Sequence, residues 1–425
     1  MLLTSKSEMI YDKRQLLEIF LSGCKTSQNI GVETEKLLVY KATKEAVKYF
    51  DVVKILSQFA EDKWQRIYEN GHLVGLKGEI GTISLEPGSQ IELSLKPFDN
   101  LSEINEYLEN YYSHLREYAQ NIGAEVLDVG IQPISTFENI EVIPKKRYEY
   151  MTKYLPKKGL TPFVMMRETA GIQVNFDYKS EDDAIRKLSL ATKMSPFISS
   201  IYANSPIRDN KLNGYKSYRA NSWLNVDEDR CGYISKKLFD KNEHFSFDDY
   251  VEVLLDVPMI FIQRGNKYYQ TNQSFRDFMF NGYGDIKAEM SDWETHLSLY
   301  FPDVRLKKYV EIRNHDAQNF DMTKSVFAFW KGIIYNQNAI EEIEKILNKF
   351  DYEDFMQLRE DSPKYAIESK IKNYRILDFI KEFFDISYSS LKENKLNEQA
   401  YLNCVYEYIS FNKTPADKII SKKYI

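Results

Sequence analysis

The segment 82–95, TISLEPGSQIELSL, limits the possible folds of this chain more than any other stretch. On one arm Ile83 and Leu85 alternate with Thr82, Ser84 and Glu86. On the other Ile91, Leu93 and Leu95 alternate with Gln90, Glu92 and Ser94. Period-two alternation marks half-buried strands, so the segment reads as a β-hairpin. A one-residue slip turns a whole strand over. The two polar faces therefore coincide only if the loop holds an odd number of residues. Pro87-Gly88-Ser89 as the loop meets this condition, pairing Glu86 with Gln90 and Ser84 with Glu92. Both carboxylates then share one face, close enough to share a cation. A solvent-facing hairpin with incidental acids is the plain alternative, and this segment alone does not decide between them.

A second carboxylate pair favours the cation. Residues 31–40, GVETEKLLVY, read as a strand with Glu33 and Glu35 at i and i+2, hence on one face. Like charges side by side on a strand repel unless a counter-charge sits between them. A further strand, Tyr309-Val310-Glu311-Ile312-Arg313, puts Glu311 and Arg313 on one face and Val310 and Ile312 on the other. Glutamates on the polar faces of several strands suit a hard divalent cation, Mg²⁺ or Mn²⁺, which takes oxygen ligands and bridges carboxylates to phosphates. An arginine beside them suits a transferring phosphoryl group, because its planar fork pairs with phosphate oxygens bidentately. Together these features point to a phosphate-handling metal enzyme.

The remaining composition removes competing classes. A net charge of −6 argues against nucleic acid as a main partner, which calls for a basic face. Cys24, Cys231 and Cys404 lie far apart without CxxC spacing, and five scattered histidines give no zinc signature. The apolar stretch Val257 to Ile262 is too short to span a bilayer, and MLLTSKSEMIYDKRQ has no secretory apolar core. These features lead to the expectation of a soluble, cytoplasmic protein without nucleic-acid or membrane partners, acting as a monomer or homodimer.

Helical spacing appears near residues 7–22 and at 43–60, where Ala46, Val47, Phe50, Val53 and Leu56 recur. Asn100 is placed to cap a long helix reaching Gly123, with Ile104, Leu108, Tyr111, Leu115 and Tyr118 on one face. Strands are expected at 125–131 and 171–178, and a helix from Ser180 to Ala203, ended before Pro206. Antiparallel strands with interspersed helices make an α+β fold. Residues 1–317 read as a catalytic domain and 318–425, rich in Lys, Glu, Tyr and Ile, as a helical C-terminal subdomain.

The motifs GVETEK (31–36), LVGLKGEIGTISLEPGSQIEL (73–93), MMRETAGIQVNFDY (165–178), ANSPIRDNKLNGYKSYRANSW (203–223), LDVPMIFI (255–262) and DWETHLSLYFPDVRLKKYVEIR (292–313) resemble, in order and spacing, the glutamate–cysteine ligases of the plant and proteobacterial type. The resemblance implies a largely antiparallel, curved, glutamine-synthetase-like sheet with surrounding helices. It further implies an ATP-dependent ligase that phosphorylates the γ-carboxylate of L-glutamate and lets the amine of L-cysteine displace the phosphate. Two or three Mg²⁺ ions, or Mn²⁺, are then expected on Glu33, Glu35, Glu86, Glu92 and Glu311, with Arg313 and Glu311 at the reacting phosphoryl group. Arg219, Trp223, Arg167, Thr169 and Arg305 are the substrate-binding candidates. Arg167, Thr169, Gln173 and Asn175 alternate along 165–178 as if on one strand face, and Gln173, Asn175 and Lys307 are the nucleotide candidates. His296, on an apolar stretch, reads equally as a hydrogen-bonded structural residue.

Three departures from the family pattern fall near the substrates. Gly88-Ser89 replaces Gly-Gly in the hairpin turn. Leu224-Asn225-Val226-Asp227 replaces Thr-Asp-Thr-Asp. Asn314-His315-Asp316-Ala317-Gln318 replaces Gly-Ala-Asp-Gly-Gly. The metal and phosphate elements are kept, so ATP use is expected, while cysteine and another amine both remain open as acceptors.

Overall fold

In the computed structural model, which describes residues 8–61, 63–240 and 242–422, the hairpin has the expected register. Ser84 faces Glu92, and the Glu86 amide donates to the Gln90 carbonyl at 2.9 Å across a Pro87–Ser89 loop. Ser89 carries the turn with a positive φ of 67°. Gly88 fits tightly there, since a Cβ on it would lie 2.2 Å from the Arg167 carbonyl oxygen.

The hairpin belongs to a nine-stranded sheet. Its strands are β1 (Ile30–Tyr40), β2 (Gln65–Glu69), β3 (His72–Lys77), β4 (Gly81–Leu85), β5 (Ile91–Leu95), β6 (Ala124–Leu127), β7 (Gly171–Phe176), β8 (Val304–Leu306) and β9 (Val310–Asp316). The order is β8-β9-β7-β1-β5-β4-β3-β2, and every pairing is antiparallel. Eleven-residue β1 is the hub: it pairs with β7 through residues 30–34, with β5 through 33–36 and with β6 through 37–40.

Residues opposite one another in an antiparallel pair share a face. Val32, Ile83, Leu85, Ile91, Leu93, Ile172, Val174, Val310 and Ile312 are all buried in one continuous core. Lys36 shares that side of β1, and its ammonium lies 4.6 Å from the Tyr112 ring of the helix Leu101–Asn121. The opposite face carries the acids and their partners. The helix Glu181–Ile201 runs along β8 and β9, and Phe320–Ile334 packs against β7.

Asn100 caps the Leu101–Asn121 helix by accepting from the Glu103 amide, and Ser180 caps Glu181–Ile201 through Asp183. The helix expected at 7–22 is observed as Lys13–Leu21, because Asp12 forms a capping box that fixes its start; residue 7 lies outside the described residues. The helix expected at 43–60 is corrected to Tyr49–Phe59. Residues 44–47 instead turn back onto β1, with a positive φ at Lys44 and a Val47 amide bond to the Leu38 carbonyl. The buried stripe therefore becomes Val52, Ile55, Leu56 and Phe59, and Phe50 is 71% exposed. The strand expected at 125–131 ends at Leu127. From Phe320 to Lys422 the regular elements are helices apart from the two-residue strands Lys370–Ile371 and Tyr374–Arg375, and the core there is continuous with that beneath the sheet.

Candidate active site

The sheet register assembles the site row by row. Glu35 of β1 faces Glu92 of β5, which faces Ser84 of β4. One pleat along, Glu33 faces Gln173 of β7 and Ser94 of β5. In the next row Gly31 faces Asn175, which faces Glu311 of β9, which faces Arg305 of β8. Glu86, at the turn, accepts from the Tyr148 hydroxyl at 3.2 Å. All five sequence-selected glutamates thus stand on one side of one sheet.

They fall into two electrostatic kinds. Glu311 is fully buried and ringed by cations: Arg305 binds it through two nitrogens, Lys307 Nζ lies at 3.1 Å and Arg313 Nη1 at 3.2 Å. Burial opposes its ionisation, but the combined pull of Arg305, Lys307 and Arg313 holds its carboxyl well below the usual range. The other kind is only partly compensated: Arg219 and Arg313 act on Glu35, and Lys307 and Arg305 on Glu33, yet burial outweighs them. Burial, then the neighbouring Glu86 charge, pushes Glu35 up to about 7. Burial raises Glu92 well above the ordinary value, with Glu86, Glu33 and Glu35 adding to it. Glu33 is raised by burial and by Glu311. Their hydrogen bonds are modest: Asn175 Nδ2 to Glu33 at 2.9 Å, the Gly171 amide to Glu35 at 2.6 Å, and Ser84 and Ser94 hydroxyls to Glu92 at 2.9 and 3.2 Å.

Buried and half-buried carboxylates whose charge is only partly balanced fit divalent cations. Among the described residues no group of three acidic, histidine or cysteine side chains is placed to hold one ion. That spread suits Mg²⁺, which binds one or two carboxylates and completes its octahedron with water and substrate phosphates.

Arg313 leans from the cationic ring toward the acids, donating to Gln173 Oε1 at 2.6 Å, with its guanidinium 5.9 Å from the Trp223 ring and 5.8 Å from that of Phe301. Ser217 caps the short helix Tyr218–Trp223, which delivers Arg219 and Trp223 to the same place. Arg219 is 4% exposed, and its Nη2 donates to the Arg313 carbonyl at 3.0 Å. Arg219 Nε and Trp223 Nε1 are buried without a partner, so two donors remain to be satisfied. A cavity beside them is lined by Arg219, Trp223, Phe301, Asp303, Arg313 and Arg359.

Three sequence-selected residues are not placed as expected. Arg167 and Thr169 do not continue the β7 face: Pro162 opens a helix through Glu168, and Thr169 ends it. Arg167 donates to the Phe137 carbonyl at 2.9 Å, and the Thr169 hydroxyl donates to the Met165 carbonyl at 2.7 Å. Arg305 is held against Glu311 and the Tyr300 carbonyl, 2.7 Å from Nη1, so it supports the carboxylate and is not an open cation. His296 is structural, bonded to the Leu254 carbonyl at 2.9 Å. No local pattern marks Arg359, which reaches from the helix Tyr352–Tyr365 to Asp303 at 2.6 and 3.0 Å, or Lys145 and Tyr148 beside Glu86. All three are placed by contacts between segments far apart in the chain.

The fold is thus an antiparallel α+β architecture that gathers its glutamates and arginines on one sheet face. The chain belongs to the glutamate-cysteine ligase family 2 (GCS2), whose family pattern matches residues 29–422. It is 34% identical to glutamate–cysteine ligase B, chloroplastic, of Oryza sativa subsp. japonica, over 96% of this chain and 83% of that protein. It is 32% identical to the chloroplastic glutamate–cysteine ligase of Arabidopsis thaliana, over 96% and 79%. Its fold is similar to a crystal structure of glutamate–cysteine ligase from Francisella tularensis in complex with AMP, with a TM-score of 0.54 and 14% identity over 94% of this chain and 85% of that one. The plant relatives are named as chloroplastic enzymes, which overturns the expectation of a cytoplasmic location. Among the described residues no helix is long and apolar enough to cross a membrane.

Proposed function

We propose that this protein is an ATP-dependent ligase that phosphorylates the γ-carboxylate of L-glutamate and joins it to the amine of L-cysteine, giving γ-glutamylcysteine, ADP and phosphate. Its family membership and the names of its plant relatives support this reading. The observation that carries it is the division of one sheet face into partly compensated glutamates and a cationic ring meeting at Arg313. Two or three Mg²⁺ ions held by Glu33, Glu35, Glu86 and Glu92, with Glu311 at the edge, would neutralise triphosphate charge and orient the γ-phosphate.

Arg219, with a buried free Nε, is assigned to the α-carboxylate of glutamate, and Trp223 closes the pocket beside it. Gln173 fixes the Arg313 fork, Asn175 orients Glu33, and Lys307 adds a cation beside Glu311. A γ-carboxylate oxygen attacks the γ-phosphorus as the bond to the β-phosphate oxygen breaks, and Arg313 stabilises charge on the transferring group. The amine nitrogen then attacks the acyl carbon, and phosphate leaves with the former carboxylate oxygen. The described residues before 318 supply these groups, apart from Arg359 at the pocket wall, and 318–422 form the helical part behind the sheet.

A second reading, transfer to another amine, is favoured by Leu224 and Asn314. Both line the pocket and both depart from the family pattern. Two measurements test the proposal. With glutamate and Mg-ATP, ADP release is expected with cysteine above all other amino acids, and ¹⁸O from the γ-carboxylate should appear in phosphate. Preference for a different amine would replace cysteine as acceptor; AMP formation or unlabelled phosphate would refute acyl-phosphate chemistry.

A further inference from the structure

The helix Glu181–Ile201 borders a second cavity, away from the glutamates, of about 330 Å³, a size typical of small-molecule sites. Its other walls are the turn Lys236–Phe239, the segment 243–245 and the end of the helix Gln337–Leu347. Lys193 faces this space. It is 8% exposed, and among the described residues its ammonium has no hydrogen bond or ion pair; the Phe239 ring lies 5.9 Å away. The other buried lysines among the described residues are all partnered: Lys36 by Asp128 and the Gln318 carbonyl, Lys187 by Asp183 and the Asp177 carbonyl, Lys331 by Glu398 and the Asp99 carbonyl. Burial of the side chain pushes the Lys193 pKa down, and the nearby charges of Glu344 and Asp240 oppose this without bonding to it.

The charges around it decide what fits. Arg186 is held by Glu344 at 2.6 and 2.8 Å, and Lys237 by Asp249 at 3.1 Å. Asp182, Asp240 and Glu243 line the cavity with no lysine or arginine bonded to them among the described residues, and the His244 imidazole stands beside Glu243. A simple anion would meet these carboxylates, and a simple cation would meet Lys193. A zwitterion satisfies both, and Ile185, Leu190 and Leu347 offer an apolar wall. We infer that this cavity binds a free α-amino acid with an apolar side chain, its carboxylate on Lys193 and its ammonium toward Asp240 and Glu243.

The inference is independent of the reaction proposed for the sheet face. The test titrates the full chain, without ATP, glutamate or cysteine, with L-leucine, 4-methylpentanoate and 3-methylbutylamine, following heat of binding and Tm. Leucine is expected to bind at least about tenfold more tightly than either half-charged analogue, the scale of one charge-assisted contact. Lys193→Met should weaken leucine by about tenfold or more and be at least as stable as the parent without ligand. Lys193→Arg and Arg219→Gln should keep leucine binding, the latter excluding the reaction site. No leucine binding by the parent, equal binding of 4-methylpentanoate, or undiminished binding by Lys193→Met would overturn the inference. So would a Lys193→Met protein less stable than its parent.

Discussion

Replacing Gly171 with alanine tests whether Arg219 holds glutamate. Gly171 opens β7, and its amide donates to Glu35. Its backbone is outside the positive-φ region, so alanine is tolerated by the chain itself. The obstacle is Arg219: an added Cβ would lie 2.3 Å from Nη2, 2.7 Å from Cζ and 2.9 Å from Nε, whereas ordinary contact begins near 3.4 Å. The guanidinium must therefore retreat by about 1 Å, a displacement that can cost about 100-fold when the group positions a substrate. At 4% exposure it has little room to do so while keeping its bond to the Arg313 carbonyl. We expect KM for glutamate to rise about 100-fold, equivalent to about 2.7 kcal/mol, with KM for ATP nearly unchanged. The assay is ADP release with glutamate varied at saturating Mg-ATP and cysteine, alongside a melting curve to confirm folding. Unchanged glutamate kinetics in a folded variant, or a rise confined to KM for ATP, would refute the assignment.

Three further outcomes are expected. Glu92→Gln should lower turnover by several orders of magnitude and leave the melting temperature equal or higher, since a strained buried charge is removed; near-normal turnover would end the metal assignment. Arg313→Lys keeps charge but loses the fork held by Gln173 and Glu311, so turnover should fall steeply with ATP affinity little changed; the reverse pattern would make Arg313 a ground-state contact only. His315 is fully buried, accepts from Trp330 Nε1 at 3.0 Å and has its pKa pushed down to about 3, first by burial and then by Arg219. The unfolded chain, with a histidine pKa of about 6.5, then binds a proton that the folded chain refuses, so stability falls as pH drops from about 6.5 toward 3, by up to about 1.4 kcal/mol per pH unit. His315→Gln should flatten that slope in urea titrations at pH 4.5–6.5, and an unchanged slope would show that the histidine does not drive it.

Local pattern carried the strand part of the site into view. Alternation fixes both the face and the register of Glu86 and Glu92, and the i, i+2 spacing fixes Glu33 and Glu35, because pleat and turn length leave no other solution. Caps at Asn100 and Ser180 are equally local. The failures have a common cause. The alternation of Arg167, Thr169, Gln173 and Asn175 looked continuous, but Pro162 sets φ for a helix start, so only Gln173 and Asn175 lie on the strand. Phe50 matched a helical stripe whose true start, Tyr49, is set by the preceding return onto β1. Arg305 looked like an open cation because its strand, Val304–Leu306, is only three residues long and too short to show the alternation that sets it opposite Glu311. Arg359 is beyond any local rule, since it meets Asp303 only through packing of the helical region on the sheet.

The three-way pairing of β1 bears on how the protein comes to exist. β1 is among the first segments made, yet it is completed by β5, then β6, then β7, and only β9 brings in the ring around Glu311. Pairing between segments so far apart in the chain makes for slow assembly. Until the last of them docks, Glu33 and Glu35 favour solvent over burial, so the early sheet is held open by its own charges. The same acids that serve the chemistry thereby delay closure until the cationic strand has been synthesised, and a chain halted before Tyr309 should stay loosely folded and prone to proteolysis.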